Sequence, residues 1–202
     1  MTRRSLLLGL AATLLVGAAL PVLAQTTPRR VRGTIESLDG SALVIRSREG
    51  EMLRIALAPN YTVAAVVPAE LSAIKPGAYV GIASIGPRDK LRALEVLIFP
   101  EAARGSGEGH YPWDLMPESS MTNAAIEAEA AGTDGRQLTL LAKGERVVVT
   151  VPPDVPVVTF EPATPAMLTP GGKVFIGAQQ ATDGSLSAAR INVGKDGLTP
   201  PM

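Results

Sequence analysis

Residues 53–60 read LRIALAPN, and residues 147–154 read VVVTVPPD. In both stretches apolar residues recur in rough alternation, and proline followed by Asn or Asp comes next. A period of two is typical of a β-strand with one buried face, and proline with a turn-forming residue indicates its end. Because the two stretches lie about 94 residues apart, they point to a unit that occurs twice.

Other segments repeat in the same order and at nearly the same interval. The aligned pairs are residues 74–80 (IKPGAYV) with 168–174 (LTPGGKV), 91–96 with 186–191 after one inserted residue, Ile35 with Ile126, and 43–45 with 138–140. Identities are few, but the proline-glycine and strand patterns recur in order. We therefore interpret the chain as a tandem repeat.

Each copy is predicted to contain three strands, a short helix and two further strands. In the first copy these are strands at 31–37, 42–48 and 51–58, a short helical segment at 69–74, and strands near 78–84 and 91–98. This is the element order of an OB-fold, a five-stranded partly open barrel. We expect an all-β protein with one short helix per repeat, built as two tandem OB-like small barrels. Other small barrels and sandwiches remain alternatives.

The N-terminus has the three parts of a secretory signal peptide. Arg3 and Arg4 form a basic region, residues 6–20 are apolar, and small residues precede a cleavage site after Ala24. The apolar run is about 15 residues, shorter than the roughly 20 of a spanning helix, so an uncleaved anchor is the weaker alternative. We expect a periplasmic or secreted protein that uses the Sec or the twin-arginine route.

The predicted organisation has five parts. They are a signal peptide at 1–24, an OB-like domain at 29–100, a Gly- and Pro-rich linker at 101–121, a second OB-like domain at 122–197, and a tail at 198–202. Clustered glycine and proline without periodicity are typical of linkers and extended loops.

Composition narrows the function classes. The chain has no Cys, which excludes disulfides, thiol nucleophiles and thiolate metal ligands. Its 19 basic and 19 acidic residues become 17 and 19 once the two arginines of the signal peptide are removed. A mature net charge of about −2 and an aromatic content of 3% are unfavourable for binding nucleic acid. We expect no nucleic-acid partner and no stable membrane anchor after cleavage.

Several segments resemble a known family. They are residues 32–35 (RGTI), 93–96 (ALEV), 104–115 (RGSGEGHYPWDL), 121–124 (MTNA) and 193–197 (VGKDG). Through them the mature chain resembles uncharacterised secreted bacterial proteins that are built from tandem OB-like β-domains of unknown function. Some relatives carry a metal-transporter permease label, which a single cleavable apolar segment does not support. The resemblance implies no activity, cofactor or catalytic residue.

The linker holds the only His and the only Trp of the chain. The candidate residues of this ligand or interface loop are Glu108, His110, Tyr111, Trp113 and Asp114. Imidazole and carboxylates are common metal ligands, but a zinc site needs three or four protein ligands. The aromatic pair is also expected to fill an apolar seam between the barrels.

No catalytic constellation or cofactor motif stands out. We therefore expect a non-catalytic binding or structural module that meets an unknown envelope protein. One alternative is a soluble ligand- or metal-binding protein with its site around His110 and Trp113. Another is an unrecognised envelope hydrolase, since the fold alone does not exclude one.

Overall fold

The structure is a computed structural model that describes residues 26–132 and 135–202. The predicted signal peptide, residues 1–24, lies outside the described residues. The described chain is all-β. Its strands are β1 (Thr27–Asp39), β2 (Ala42–Ser47), β3 (Met52–Pro68), β4 (Tyr79–Ile85), β5 (Leu91–Ile98), β6 (Gly109–Pro112), β7 (Ser120–Gly132), β8 (Gly135–Ala142), β9 (Glu145–Val151), β10 (Val157–Ala163), β11 (Lys173–Gln180) and β12 (Leu186–Gly194).

Five strands close into a first barrel. The pairings run from β1 to β2, β3, β12 and β11 and return to β1. Only the contact between β3 and β12 is parallel. Alternating side chains point inward and form one apolar core. Its fully buried members include Ile35, Leu43, Ile45, Ile55, Ile176 and Ile191.

A second ring of pairings has the same pattern. It runs from β7 to β8, β9, β5 and β4 and returns to β7, with a parallel contact between β5 and β9. Its core includes Val80, Ile82, Val96, Leu138, Leu140 and Val149. A closed five-stranded barrel of this kind is compatible with an OB-like fold.

The structure does not confirm two consecutive domains at 29–100 and 122–197. Strands β11 and β12 come from the second half of the chain but complete the first barrel, and β4 and β5 of the first half complete the second. Each barrel thus takes three strands from one half and two from the other. The periodicity of a strand shows that it buries one face, but not which barrel it joins, so the sequence pattern alone does not reveal the exchange.

Pro59 lies inside a strand and not at its end. The sequence predicts a strand end near residue 58, but β3 continues through Pro59 to Pro68. Residues 58–61 of β3 lie opposite Ala189 alone, so the proline lies in a bulge, where a missing N–H is tolerated. Beyond the bulge, β3 pairs antiparallel with β10, and Val66 lies opposite Phe160. The strand keeps its parallel pairing with β12 as far as Val66, so its two edges join the first barrel and β10 at the same time.

The predicted short helix is not confirmed. The segment 69–74 contains one 3-10 turn, Leu71–Ala73, and Pro165–Met167 forms the matching turn of the second half. The remaining 3-10 turns are equally short, Glu101–Ala103 and Lys195–Gly197. Among the residues that the structure describes, no helix combines the length and the apolar character needed to cross a membrane.

The segments expected to be a linker and a tail both pack against the barrels. Within 101–121, β6 pairs antiparallel with β7. Within 198–202, Met202 is only 2% exposed and joins a third apolar cluster with Val66, Leu97 and Val158. Phe99, Phe160 and Phe175 pack against this cluster. These residues come from the outer faces of both barrels, so the cluster lies between them.

Candidate functional site

The space between the barrels is lined by residues that alternate with core residues. On β5, Leu97 follows Val96 of the second core, and on β11 Phe175 lies between two residues of the first core. Asn192 of β12 and Asn123 of β7 are likewise adjacent to core residues. Since neighbouring strand residues point to opposite faces, these side chains point away from the barrel interiors.

A cavity of about 300 Å³ lies in this space. We call it the inter-barrel cavity; it is lined by Leu97, Phe99, Ala103, Ser106, Trp113, Met121, Asn123, Phe160, Phe175, Arg190, Asn192 and Met202. Ser106 and Arg190 are exposed and lie at its solvent side. Mostly apolar walls with a few polar groups are typical of small-molecule sites, and the volume lies at the lower end of their range.

Aromatic rings form much of the wall. The ring centroids of Phe99 and Phe160 are 6.2 Å apart with an edge-to-face tilt, and those of Trp113 and Phe175 are 6.1 Å apart. Tyr111 lies 6.1 Å from Trp113 on the side of β6. These tilted pairs are within the range in which aromatic rings attract each other, so they support a shaped cavity wall.

Asn123 lines the cavity and carries a buried, unpartnered acceptor. Its side chain is 8% exposed, and its Nδ2 donates to Ser106 O at 3.1 Å and to Tyr111 Oη at 3.2 Å. Its buried Oδ1 has no hydrogen-bond partner among the described residues. A Cβ at Gly81 would lie 2.7 Å from this oxygen, so the lack of a side chain at Gly81 makes room for the Asn123 amide.

Trp113 contributes an unpartnered donor. Its buried Nε1 likewise lacks a hydrogen-bond partner in the described part of the chain. The indole is held from outside by two arginines, with the guanidinium carbons of Arg30 and Arg32 at 4.0 and 5.7 Å from the ring centroid. Stacking with the two guanidinium groups therefore fixes the position of the ring.

Asp114 anchors the same loop to the first barrel. Its Oδ1 accepts a hydrogen bond from Arg32 Nη2 at 2.8 Å and lies 3.8 Å from Arg30 Nη1. Partial burial raises the pKa of Asp114, but the hydrogen bond from Arg32 and the two positive charges outweigh it and lower the pKa overall. Arg32 Nε also donates to the main-chain oxygen of Met202 at 2.7 Å.

Glu95 is the one fully buried acid that the described residues include. It is 0% exposed, and neither carboxyl oxygen has a hydrogen-bond partner among them. Burial raises the pKa of Glu95 to about 8, although the charge of Arg32 acts in the opposite direction. The group is therefore mostly a neutral carboxyl at pH 7.

The predicted loop residues divide into two groups. Tyr111, Trp113 and Asp114 lie together at the space between the barrels. Glu108 and His110 lie elsewhere: Glu108 Oε1 accepts from the Lys143 main-chain N–H at 3.0 Å, and His110 Nδ1 is 2.8 Å from Thr122 Oγ1. Burial lowers the pKa of His110, with a smaller contribution from the charge of Arg88.

The structure also shows how the candidate metal ligands and the serine hydroxyls are placed. Within residues 26–132 and 135–202, no group of three or more His, Cys, Asp or Glu side chains is placed to hold a metal ion. The Ser119 hydroxyl donates to main-chain oxygens of Trp113 and Met116, and Ser120 Oγ lies 3.1 Å from Ser84 Oγ. These hydroxyls thus take part in local structural contacts.

Sequence reasoning missed most of the cavity wall. The phenylalanines Phe99, Phe160 and Phe175, which pack between the barrels, were not among the candidate residues. Asn123 and Asn192 were not singled out. A signal existed, because each is a polar residue next to buried apolar neighbours in a strand, where an unpaired polar group is costly.

In comparisons with known proteins, no family model matches the chain, and neither a curated protein nor a solved structure is significantly similar to it.

Proposed function

We propose that the protein is a non-catalytic binding protein that takes a small ligand into the inter-barrel cavity. The observation that carries this proposal is the cavity itself, about 300 Å³ in volume, with mostly apolar and aromatic walls and with Arg190 and Asn192 among its few polar lining residues. A ligand with a flat apolar body complements such a wall.

The energetic argument rests on the transfer of apolar ligand surface from water into this wall, which contributes about 25 cal/mol per Å². The phenylalanine rings of the wall favour a flat apolar body over a sugar or an ion.

We also infer that the two barrels are OB-like and descend from a duplicated unit, with the last two strands exchanged between the copies. Equivalent residues occupy equivalent pairings: Ile35 lies opposite Ile45, and Ile126 lies opposite Leu140. Val66 and Phe160, which are 94 positions apart, lie opposite each other where β3 meets β10. Such an exchange creates an interface between the barrels in which a ligand site can form.

We further propose that the binding protein works outside the cytoplasm, in the periplasm or as a secreted protein. The support is the basic, apolar and small-residue pattern of residues 1–24. Binding to an envelope protein through a barrel face stays a second hypothesis, alongside ligand binding.

The proposal is tested with 1-naphthol. This neutral probe has a flat apolar body that matches the ring-lined wall. Isothermal titration calorimetry on the chain that begins at Gln25 is expected to show one site. Ala103→Phe, which places a ring into the half-buried cavity wall, is expected to weaken binding at least about tenfold. Ala102→Phe, one residue away and exposed, is the matched control and is expected to bind as the wild type does.

Two results would overturn the proposal. One is no detectable heat or saturation transfer with 1-naphthol up to its solubility limit. The other is binding that Ala103→Phe leaves unchanged while circular dichroism shows that the variant is folded. Either would leave the cavity as a packing defect between the barrels.

A further inference from the structure

Resting on the proposed function, we infer that the natural ligand of the inter-barrel cavity is a small apolar carboxylic acid, whose carboxylate binds the Arg190 guanidinium at the solvent side. The apolar body then lies among the phenylalanine rings. The inference comes from the surroundings of Arg190, which differ from those of the other arginines near the cavity.

Arg190 is oriented by two residues of the cavity wall. Its Nε donates to Asn192 Oδ1 at 3.1 Å, and its guanidinium carbon lies 4.9 Å from the centroid of the Phe160 ring. Asn192 is itself fixed, because its Nδ2 donates to the Phe175 main-chain oxygen at 3.2 Å. The guanidinium is thus placed beside the cavity with only one of its five N–H groups used for Asn192.

No carboxylate lies within 4.0 Å of Arg190 in the described part of the chain. The acid next to Phe160 in sequence, Glu161, pairs instead with Lys195 Nζ at 3.3 Å. By contrast, Arg30 and Arg32 share Asp114. Arg190 is therefore a cation at the edge of an apolar cavity without an acid of its own.

The chemistry of these groups specifies the ligand class. A planar guanidinium recognises a carboxylate through two parallel, charge-assisted N–H···O bonds, whereas an amine has no acceptor of this kind and is repelled when it carries a positive charge. The cavity volume equals roughly ten water molecules at about 30 Å³ each. An acid of about ten to thirteen non-hydrogen atoms with a flat apolar body matches this volume and the ring-lined wall.

The test compares two isosteric probes on the chain that begins at Gln25. Titration calorimetry at pH 7 with 1-naphthoate and with the neutral 1-naphthamide is expected to show that the acid binds about tenfold more tightly. Arg190→Met keeps a side-chain stem against Phe160 and is expected to remove this preference without weakening the amide. Arg92→Met, an exposed arginine of β5 outside the cavity wall, is the matched control and is expected to keep it.

The outcomes separate this inference from the proposed function. Equal binding of acid and amide, both weakened by Ala103→Phe, would overturn the carboxylate inference and keep the cavity as a ligand site. Acid binding that Arg190→Met weakens but Ala103→Phe does not would place the acid on the surface and overturn the inference as well. Failure of both probes together with 1-naphthol would overturn the proposed function itself.

Discussion

Arg32 and Arg190 both lie on strands of the first barrel and stack on aromatic rings of the inter-barrel space, but their other surroundings differ. Arg32 on β1 has a side chain that is only 10% exposed, and it donates to Asp114 and to the main-chain oxygen of Met202. Arg190 on β12 is exposed and has the amide oxygen of Asn192 and the face of Phe160 as neighbours. The chain thus provides Asp114 as the anionic partner of Arg32, whereas Arg190 lies at the edge of the cavity.

The contrast between the two arginines shows that the segment 101–121 has two roles in the inter-barrel space. On the side of Arg32 it stabilises the structure, and on the side of Arg190 it borders the cavity. Trp113 belongs to both sides, since Arg30 stacks on its ring while the residue also lines the cavity. If this division is correct, changes on the Arg32 side affect stability, whereas changes at Arg190 affect ligand selectivity.

The largest expected effect concerns Glu95, which corresponds to Arg190 in the alignment of the two halves. Its folded-state pKa of about 8 lies above the value of 4.5 expected for the unfolded chain. Between these two values the unfolded chain loses the proton first, so the free energy of unfolding falls as pH rises. The loss amounts to about 5 kcal/mol if the whole shift is expressed.

Glu95→Gln removes this titration. We expect the variant to be similar to the wild type near pH 5 and more stable by several kcal/mol at pH 8, measured by urea unfolding at both values. Glu70→Gln, an exposed glutamate, is the control and should leave the pH dependence as it is. A wild-type protein whose stability does not fall between pH 5 and pH 8 relative to Glu95→Gln would contradict the neutral buried carboxyl.

The strands were largely predictable, but their partners were not. The alternation in residues 53–58 and 147–151 predicts strands that the structure contains as parts of β3 and β9. Both halves carry the same alternation, however, so β4 and β11 fit either barrel equally well by pattern. The proline at residue 59 was also misleading, because a bulge tolerates the residue that ends a regular strand.

The candidate site was predictable only where it lies in one segment. Trp113 stands out as the only tryptophan in a Gly- and Pro-rich stretch, and it does line the cavity. Phe160, Asn123 and Arg190 come from the separate strands β10, β7 and β12, of which β7 belongs to the second barrel and β12 to the first. Their neighbours in sequence are ordinary strand residues, so no local motif marks them.

The next largest effect is expected at Trp113. Trp113→Ala removes the ring that lies between Arg30 and Phe175, and because the ring is partly exposed we expect a loss of about 3 kcal/mol, near the lower limit for large core truncations. Trp113→Phe keeps a ring and removes the unpartnered Nε1–H, so it should cost less than about 1 kcal/mol. Equal losses in the two variants, measured by chemical denaturation, would show that the indole N–H has a partner that stabilises the fold.

The smallest effect separates a partly buried ion pair from an exposed one. Asp114→Asn weakens the contact with Arg32, whose side chain is 10% exposed, and we expect a loss of about 1 kcal/mol. Asp39→Asn breaks the pair with Arg54, where both side chains are more than half exposed, and should cost at most about 0.5 kcal/mol. Adding 0.5 M NaCl should reduce the Asp39 effect more than the Asp114 effect, because salt screens exposed charges more strongly. Equal losses at Asp114 and Asp39 would mean that the Arg32 side gains no more from its acid than an ordinary surface pair does, and the contrast with Arg190 would then rest on the cavity alone.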